Sequence, residues 1–340
     1  MRYEIPAPML AKAVAAVPEG AFEYEPKWDG FRVLAAWDGE SVELGSRGAK
    51  PLTRYFPELV AALPRVLPEP CLVDGEIVVA TGDPARLDWE ALSARIHPAA
   101  SRVALLAEQT PAMFIAFDLL AVGDELLADR PFAERRARLE TLLTGVRPPV
   151  HLTRTTRDAA LARDWLARFE GAGLDGVVAK ALDAPYSPGK RTMLKIKHAR
   201  TADVVALGYR VHTSGAGVGS LLVGLYDADG TLRQVGGVSA FSNARRRELV
   251  DELAPLVERD AAGAAVTGAG ERSRFTGAKD VSFVRLRPER VLEVRYDQLE
   301  GARFRHTAQF ERWRPDREAG SCTFAQLEQP APYDLDAVLA

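Results

Sequence analysis

Lys27 lies in the stretch Glu25-Pro26-Lys27-Trp28-Asp29-Gly30, after a proline and just ahead of an Asp-Gly turn. The flanking residues 21–24 and 31–37 read as extended segments, which sets the lysine at the mouth of a strand pair. An amine held there is a nucleophile once its surroundings free the lone pair. Glu25 and Asp29 would keep the proton on, so other cations or burial must offset them. Taken alone, the string equally describes a surface hairpin turn. Its company narrows the choice. Only eight of the 44 Lys and Arg residues are lysines, and three of these, Lys180, Lys195 and Lys197, close apolar strand-like runs. Arginine cannot stand in for lysine where a deprotonable amine or a compact point charge is required. Alternation sends Lys195 and Lys197 to one strand face. From Lys180 to Arg200, six cations face one acid, Asp183.

Carboxylates supply the second kind of chemistry. Asp74-Gly75-Glu76 occupies the centre of a β-branched run, residues 71–80, which is unusual for a buried strand. An unpaired buried charge is costly, so a metal ion or ligand hydroxyls are the expected partners. Asp118 sits near the end of the apolar run 112–120, and Asp175 opens the run 174–180. The elements that must hold these groups include helices over residues 55–67 (stopped by Pro64 and Pro68), 87–96, 132–143 and 159–172.

The pattern changes near residue 201. Short strands at 204–211, 221–226, 232–238 and 290–295, with one helix over 244–257, suggest a small barrel. Residues 259–281 read as a Gly/Ala-rich loop. Arg303-Phe304-Arg305-His306 and Arg312-Trp313-Arg314-Pro315-Asp316-Arg317 interleave cations with aromatics, which suits phosphates and bases. Each cluster alone also describes a solvated strand edge. Two glycine strings carry no phosphate cradle: residues 215–219 lack dinucleotide spacing, and residues 189–192 lack the upstream glycine of a P-loop. A net charge of −3 over 340 residues argues against a general basic coat for nucleic acid, though not against a local patch. Cys71 and Cys322 match no metal spacing and read as reduced thiols. With no signal segment or spanning apolar run, a cytoplasmic, nucleoid-associated protein is expected.

In order, Lys27-Trp28-Asp29-Gly30, Ser46-Arg47-Gly48, Asp74-Gly75-Glu76, residues 114–118, Asp175 to Lys180, Lys195-Ile196-Lys197 and Arg312 to Arg317 resemble the motifs of the covalent nucleotidyltransferases. Within them the chain is similar to ATP-dependent DNA ligases of the short bacterial stand-alone type, over about residues 20–325. The resemblance implies an α+β protein. A nucleotidyltransferase (adenylation) domain of two antiparallel sheets with helices, residues 1–201, precedes an oligonucleotide-binding (OB-fold) barrel, residues 202–325, and a C-terminal tail, residues 326–340. It implies sealing of 5′-phosphate/3′-hydroxyl nicks in duplex DNA, in repair or recombination, through a lysyl-AMP and an adenylylated DNA end.

The implied roles run as follows. Lys27 is the nucleophile, with Lys195 and Lys197 stabilising the pentavalent phosphate. Glu76 and Asp175 hold Mg²⁺ (or Mn²⁺). ATP or AMP is bound by Glu25, Trp28, Asp29, Gly30, Arg32, Arg47, Glu76, Phe117, Val178, Lys180, Lys195 and Lys197, with Phe117 stacking on adenine. Arg314 and Arg317 orient the pyrophosphate. DNA falls to Arg47, Arg303 and Arg305. Two positions depart from the family pattern: Asp175 stands where Glu is usual, and Arg317 where Lys is usual. With 26 residues ahead of Lys27, the extra domain of NAD-using ligases is not accommodated, which favours ATP. The expected partner is nicked double-stranded DNA, with DNA-repair proteins admitted, no membrane, and a monomeric chain. The rival readings are an RNA ligase or a GTP-using capping enzyme, and, from another class, a non-catalytic nucleic-acid-binding scaffold.

Overall fold

In a computed structural model, the structure describes residues 3–48, 50–215, 217–269, 281–327 and 330–339. They form two compact units: residues 1–197 together with 330–340, and residues 198–329.

The first unit is built on two sheets. One has seven strands. Val42–Ser46, Phe31–Trp37, Cys71–Thr81, Ala112–Val122 and Glu125–Leu126 are neighbours in that order, with Arg86–Leu87 and Val150–Leu152 added at its margins. The other orders Leu10–Ala13, Arg191–Ile196, Val177–Ala181 and Phe22–Pro26. Each sheet is antiparallel except for one parallel pairing, Val150–Leu152 on Ala112–Val122 and Leu10–Ala13 on Arg191–Ile196. The two eleven-residue strands at the centre of the larger sheet are apolar almost throughout because helices cover them. Leu59 and Leu63 of the helix Pro57–Val66, and Leu139 of Phe132–Leu142, pack against Val73, Ile77 and Phe114.

Local chemistry set the element ends differently from the sequence reading in two places. Pro64 does not stop its helix, which runs on to Val66; the loss of one main-chain hydrogen bond is tolerated by a turn buried through Leu63. The helix expected from residue 87 starts at Trp89, since Asp88 caps it by accepting from the Ala91 N–H at 2.8 Å. Arg86–Leu87 is instead a short strand. Two buried arginines of this unit are paired internally: Arg135 with the buried Asp118 at 2.8 Å, and Arg95 with the half-buried Glu58 at 2.6 Å.

Residues 330–339 do not form a separate tail. They lie in the first unit, where Leu335 and Val338 are each 1% exposed in a core shared with Val17, Trp165 and Phe169. Leu335 N–H donates to Ala85 O at 3.0 Å. The Tyr333 ring centroid is 5.3 Å from that of Phe169. A Cβ on Gly171 would fall 1.9 Å from Ala331 O, so the segment can lie there only over a glycine.

The second unit curls one sheet around a single core. Arg200–Val211 pairs with Val218–Tyr226 along one side, and with both Ser282–Arg285 and Val291–Tyr296 along the other. Leu232–Val238 and Gln309–Trp313 extend the two directions. Val204, Leu221, Val223, Val235, Leu292 and Val294 fill the interior, with Leu249 and Leu253 of the helix Asn243–Leu253 against them. Of the loop expected at 259–281, residues 267–269 form a strand on Ser282–Arg285, and residues 270–280 lie outside the described residues. No helix among the described residues is long and apolar enough to cross a membrane. Both cysteines are buried free thiols.

Candidate active site

Main-chain hydrogen bonds deliver Lys27 to its surroundings. The strand Phe22–Pro26 pairs with Val177–Ala181, placing Glu25 opposite Val178 and Pro26 opposite Val177. Beyond the paired residues, Lys27 N–H donates to Gly176 O at 2.8 Å and Asp175 N–H donates to Lys27 O at 2.9 Å. This reciprocal clamp forces Asp175 beside the lysine. Gly176 permits it, with φ +133° and a Cβ that would fall 2.0 Å from Ile196 O. On the other sheet, Gly30 passes so close to Ile77 that a Cβ would lie 2.1 Å from its carbonyl oxygen. The register there sets Arg32 opposite Glu76.

A cleft of about 380 Å³ opens between these elements. Glu25, Lys27, Trp28, Arg32, Arg47, Glu76, Phe117, Val178, Lys180 and Lys195 all line it. Asp175 and Lys197 stand directly behind Lys27. One carboxylate oxygen, Asp175 Oδ2, accepts from Lys27 Nζ at 2.5 Å and meets Lys197 Nζ at 2.9 Å. The other, Oδ1, is buried with no hydrogen-bond partner. Asp29 and Gly30, partly buried, fix the turn and do not line the cleft.

Burial and neighbouring charge tune these groups. Burial pushes the Glu76 carboxyl up to about 7, against the pull of Lys27, Arg32 and the Gly30 N–H. Burial also raises Glu25, against Lys180, whose Nζ lies 2.9 Å from it. Lys195 is lowered from the usual lysine range by burial first, then by Lys197 and Lys27. Lys180 Nζ also donates to Phe117 O at 3.0 Å and lies 4.7 Å from the Phe117 ring centroid, with the Arg32 guanidinium 5.0 Å from the same centroid. The Trp28 indole N–H is tied to Thr153 Oγ1 at 2.7 Å, so this buried side chain is anchored as well as cleft-facing.

The partners expected for Asp74-Gly75-Glu76 need one correction. Asp74, fully buried, seeks neither metal nor ligand, because Arg32 grips it with Nε at 2.9 Å and Nη2 at 2.6 Å. Tyr186 Oη adds a third donor at 2.6 Å and itself accepts from the Met9 N–H at 3.1 Å. Tyr186 carried no role in the sequence; its place between two prolines in a rigid loop was the available signal. Arg191 and Met193 also line the cleft unforeseen. They share the face of Lys195 by the two-residue period of their strand, which would have found them.

The remaining candidates belong to the second unit. Arg314 Nη1 lies 3.0 Å from Asp203 and Nη2 2.8 Å from Asp316, while Arg317 Nε lies 3.3 Å from Asp203. Both arginines line a second cavity of about 360 Å³, with Trp313 and Arg290. Arg303 opens a short strand, and burial pulls the Arg305 guanidinium down to about 10. Phe304, expected among cations and aromatics that suit phosphates and bases, is instead buried in the core, 4.7 Å from the Tyr296 ring, and is unavailable to stack on a base. Among the described residues, no three or more His, Cys, Asp or Glu cluster as a metal site. Of the two carboxylates expected to hold a metal, Glu76 lines the cleft and Asp175 stands behind Lys27.

Comparison with known proteins matches both units. Residues 8–197 fit the family model described as an ATP dependent DNA ligase domain, and residues 214–317 the ATP dependent DNA ligase C terminal region. DNA ligase C2 of Mycolicibacterium smegmatis is 58% identical over 337 residues, spanning 95% of this chain and 94% of that one. DNA ligase C of Mycobacterium tuberculosis is 55% identical over 348 residues, spanning 98% and 96%. Among solved structures, the ligase domain of M. tuberculosis LigD is 28% identical, with a TM-score of 0.50 over 94% of this chain and 98% of that one.

Proposed function

The chain belongs to the ATP-dependent DNA ligases, and on that premise we propose that it seals 5′-phosphate/3′-hydroxyl nicks in duplex DNA through an AMP carried on Lys27. The observation that carries this reading is the arrangement at Lys27 Nζ: it faces the cleft while one oxygen of Asp175 holds it and Lys197 together. In the first step the amine gives up a proton and its lone pair attacks the α-phosphorus of ATP. The bond to the bridging oxygen breaks and pyrophosphate leaves. The 5′-phosphate at the nick then attacks the same phosphorus, breaking the P–N bond and restoring Lys27. Finally the 3′-hydroxyl attacks the activated 5′-phosphate and AMP departs.

The other cleft residues support roles in these steps. Lys195, less inclined than usual to hold its proton, and Lys197 stand beside the nucleophile, where negative charge builds on the phosphorus oxygens. Phe117 and Val178 offer apolar surface for the adenine, and Glu25 with Lys180 forms a buried pair that fixes the floor. Arg32, locked by Asp74 and Tyr186, and Arg47 present cations to ribose and phosphate. Arg314 and Arg317 take the departing pyrophosphate, and Arg47, Arg303 and Arg305 take the DNA backbone.

The carboxylates fit a divalent cation. Asp175 Oδ1 is a buried oxygen without a hydrogen-bond partner, and Glu76 is a desolvated carboxylate, so together they would hold Mg²⁺ (or Mn²⁺). When bound, the ion neutralises charge on the phosphate oxygens. The test is intact mass after incubation with ATP and Mg²⁺, beside GTP, NAD and a Lys27→Ala variant, with pyrophosphate pretreatment to strip any AMP already attached. A gain of one AMP, from ATP alone and lost in the variant, is expected. A mass that never moves would overturn the covalent reading.

A further inference from the structure

Asp203 sits in the first half of the strand Arg200–Val211, opposite Glu293, which in turn lies opposite Arg312. The two acids in this row each take arginines from the 312–317 stretch. Glu293 pairs with Arg312 at 2.6 Å. Asp203 does more: both its oxygens accept from Arg314 Nη1, at 3.0 and 3.1 Å, and it also meets Arg317 Nε at 3.3 Å. Its own main chain is held from both sides by one side chain. Asp203 N–H donates to Gln326 Oε1 at 2.8 Å, and Gln326 Nε2 donates to Asp203 O at 3.0 Å and to Thr323 O at 2.9 Å. Asp203 is 12% exposed, so it is a fixed, largely desolvated anion.

Two guanidiniums beside one cavity repel each other and lose rotamer entropy when ordered. A shared carboxylate at their base removes both difficulties before any ligand arrives. Asp316, which meets Arg314 at the surface, is exposed to solvent and is the weaker anchor, whereas Asp203 meets both arginines. We propose that Asp203 is a positioning residue that presets Arg314 and Arg317 as a pair to receive the pyrophosphate of ATP. The inference rests on the assignment of those arginines to pyrophosphate made above. It also predicts that Asp203 matters only to the step that consumes ATP.

The experiment uses the full chain and Asp203→Asn, which keeps the main-chain bonds to Gln326, beside Asp203→Glu and Arg314→Ala. Two rates are measured: formation of the Lys27–AMP adduct with ATP, and sealing of a nick that already carries AMP on its 5′-phosphate, which needs no ATP. Asp203→Asn is expected to slow adduct formation about tenfold or more, as loss of orientation does, with sealing of the preadenylylated nick within about twofold of wild type and partial recovery in Asp203→Glu. If Arg314→Ala slows adduct formation and Asp203→Asn does not, the positioning role is wrong and the arginine assignment stands. If Arg314→Ala leaves adduct formation unchanged, that assignment falls and the proposal with it. Equal loss in both rates for Asp203→Asn would reduce Asp203 to a structural residue, and faster adduct formation would mean that it holds the arginines back. Either result overturns the proposal.

Discussion

Replacing Glu76 with glutamine should make the folded protein more stable while ending its activity, and the gain should depend on pH. Burial raises this carboxyl from an ordinary value of 4.5 to about 7. The two values differ by about 2.5, and each pH unit is worth about 1.36 kcal/mol, which gives a ceiling of ~3.4 kcal/mol. Part of the side chain still reaches solvent, so ~2 kcal/mol is the working figure. Below about pH 4.5 the folded and unfolded chains both hold the proton and the variant gains nothing. Between about pH 4.5 and about 7 the unfolded chain has released its proton and the folded chain has not, so wild type steadily loses stability. Above about 7 the full cost of the buried charge is present, and glutamine avoids it. For a unit of this size the gain corresponds to a rise in Tm of about 4–8 °C. Thermal unfolding of both proteins from about pH 5 to about pH 8 measures it, with Mg²⁺ added in a second series. The ion should stabilise wild type at the upper pH and leave the variant largely unmoved. A difference that stays flat with pH, or a wild type more stable than the variant above about pH 7, would refute the argument that Glu76 is strained by desolvation.

Two further outcomes follow from contacts in the first unit. Tyr186→Phe should cost about 1–2 kcal/mol by equilibrium unfolding, because Asp74 loses a donor and the Met9 N–H loses its acceptor; an unchanged midpoint would mean that Arg32 alone satisfies Asp74. Leu335→Ala should cost about 2–5 kcal/mol, as for other fully buried leucines, and proteolysis read by mass should reveal first-unit cleavage sites before any in the second; a neutral result would show that residues 330–339 add little to that core.

Much of the cleft was legible because the proposed chemistry constrains residue type. A nucleophile at Lys27 has to be lysine, the Asp-Gly-Glu carboxylates stood out within a β-branched strand, and Lys195 and Lys197 alternated onto one face. What stayed hidden was how charges share partners. Asp74 and Glu76 look equivalent in sequence, yet two residues of strand send one to Arg32 and Tyr186 and leave the other in the cleft. That difference depends on a tyrosine more than a hundred positions away. Asp203 was passed over for the same reason: nothing local distinguishes it from an acid at a strand start. Phe304 misled because alternation decides which side of a sheet it faces, and its neighbours Arg303 and Arg305 drew the eye outward. The helix start at Trp89 follows a local cap that the reading from residue 87 passed over, and the run through Pro64 shows a local signal overruled by burial. The placement of residues 330–339 rests on the glycine at 171, whose role appears only once a distant backbone crosses it.

That crossing changes how the protein divides. The second unit is spliced into the first, with both of its covalent ends leading back to it. The nucleotide-handling half is therefore discontinuous in the gene-encoded order, and cutting after residue 197 would strip Leu335 and Val338 from its interior. A faithful isolated half therefore keeps residues 330–339 along with residues 1–197.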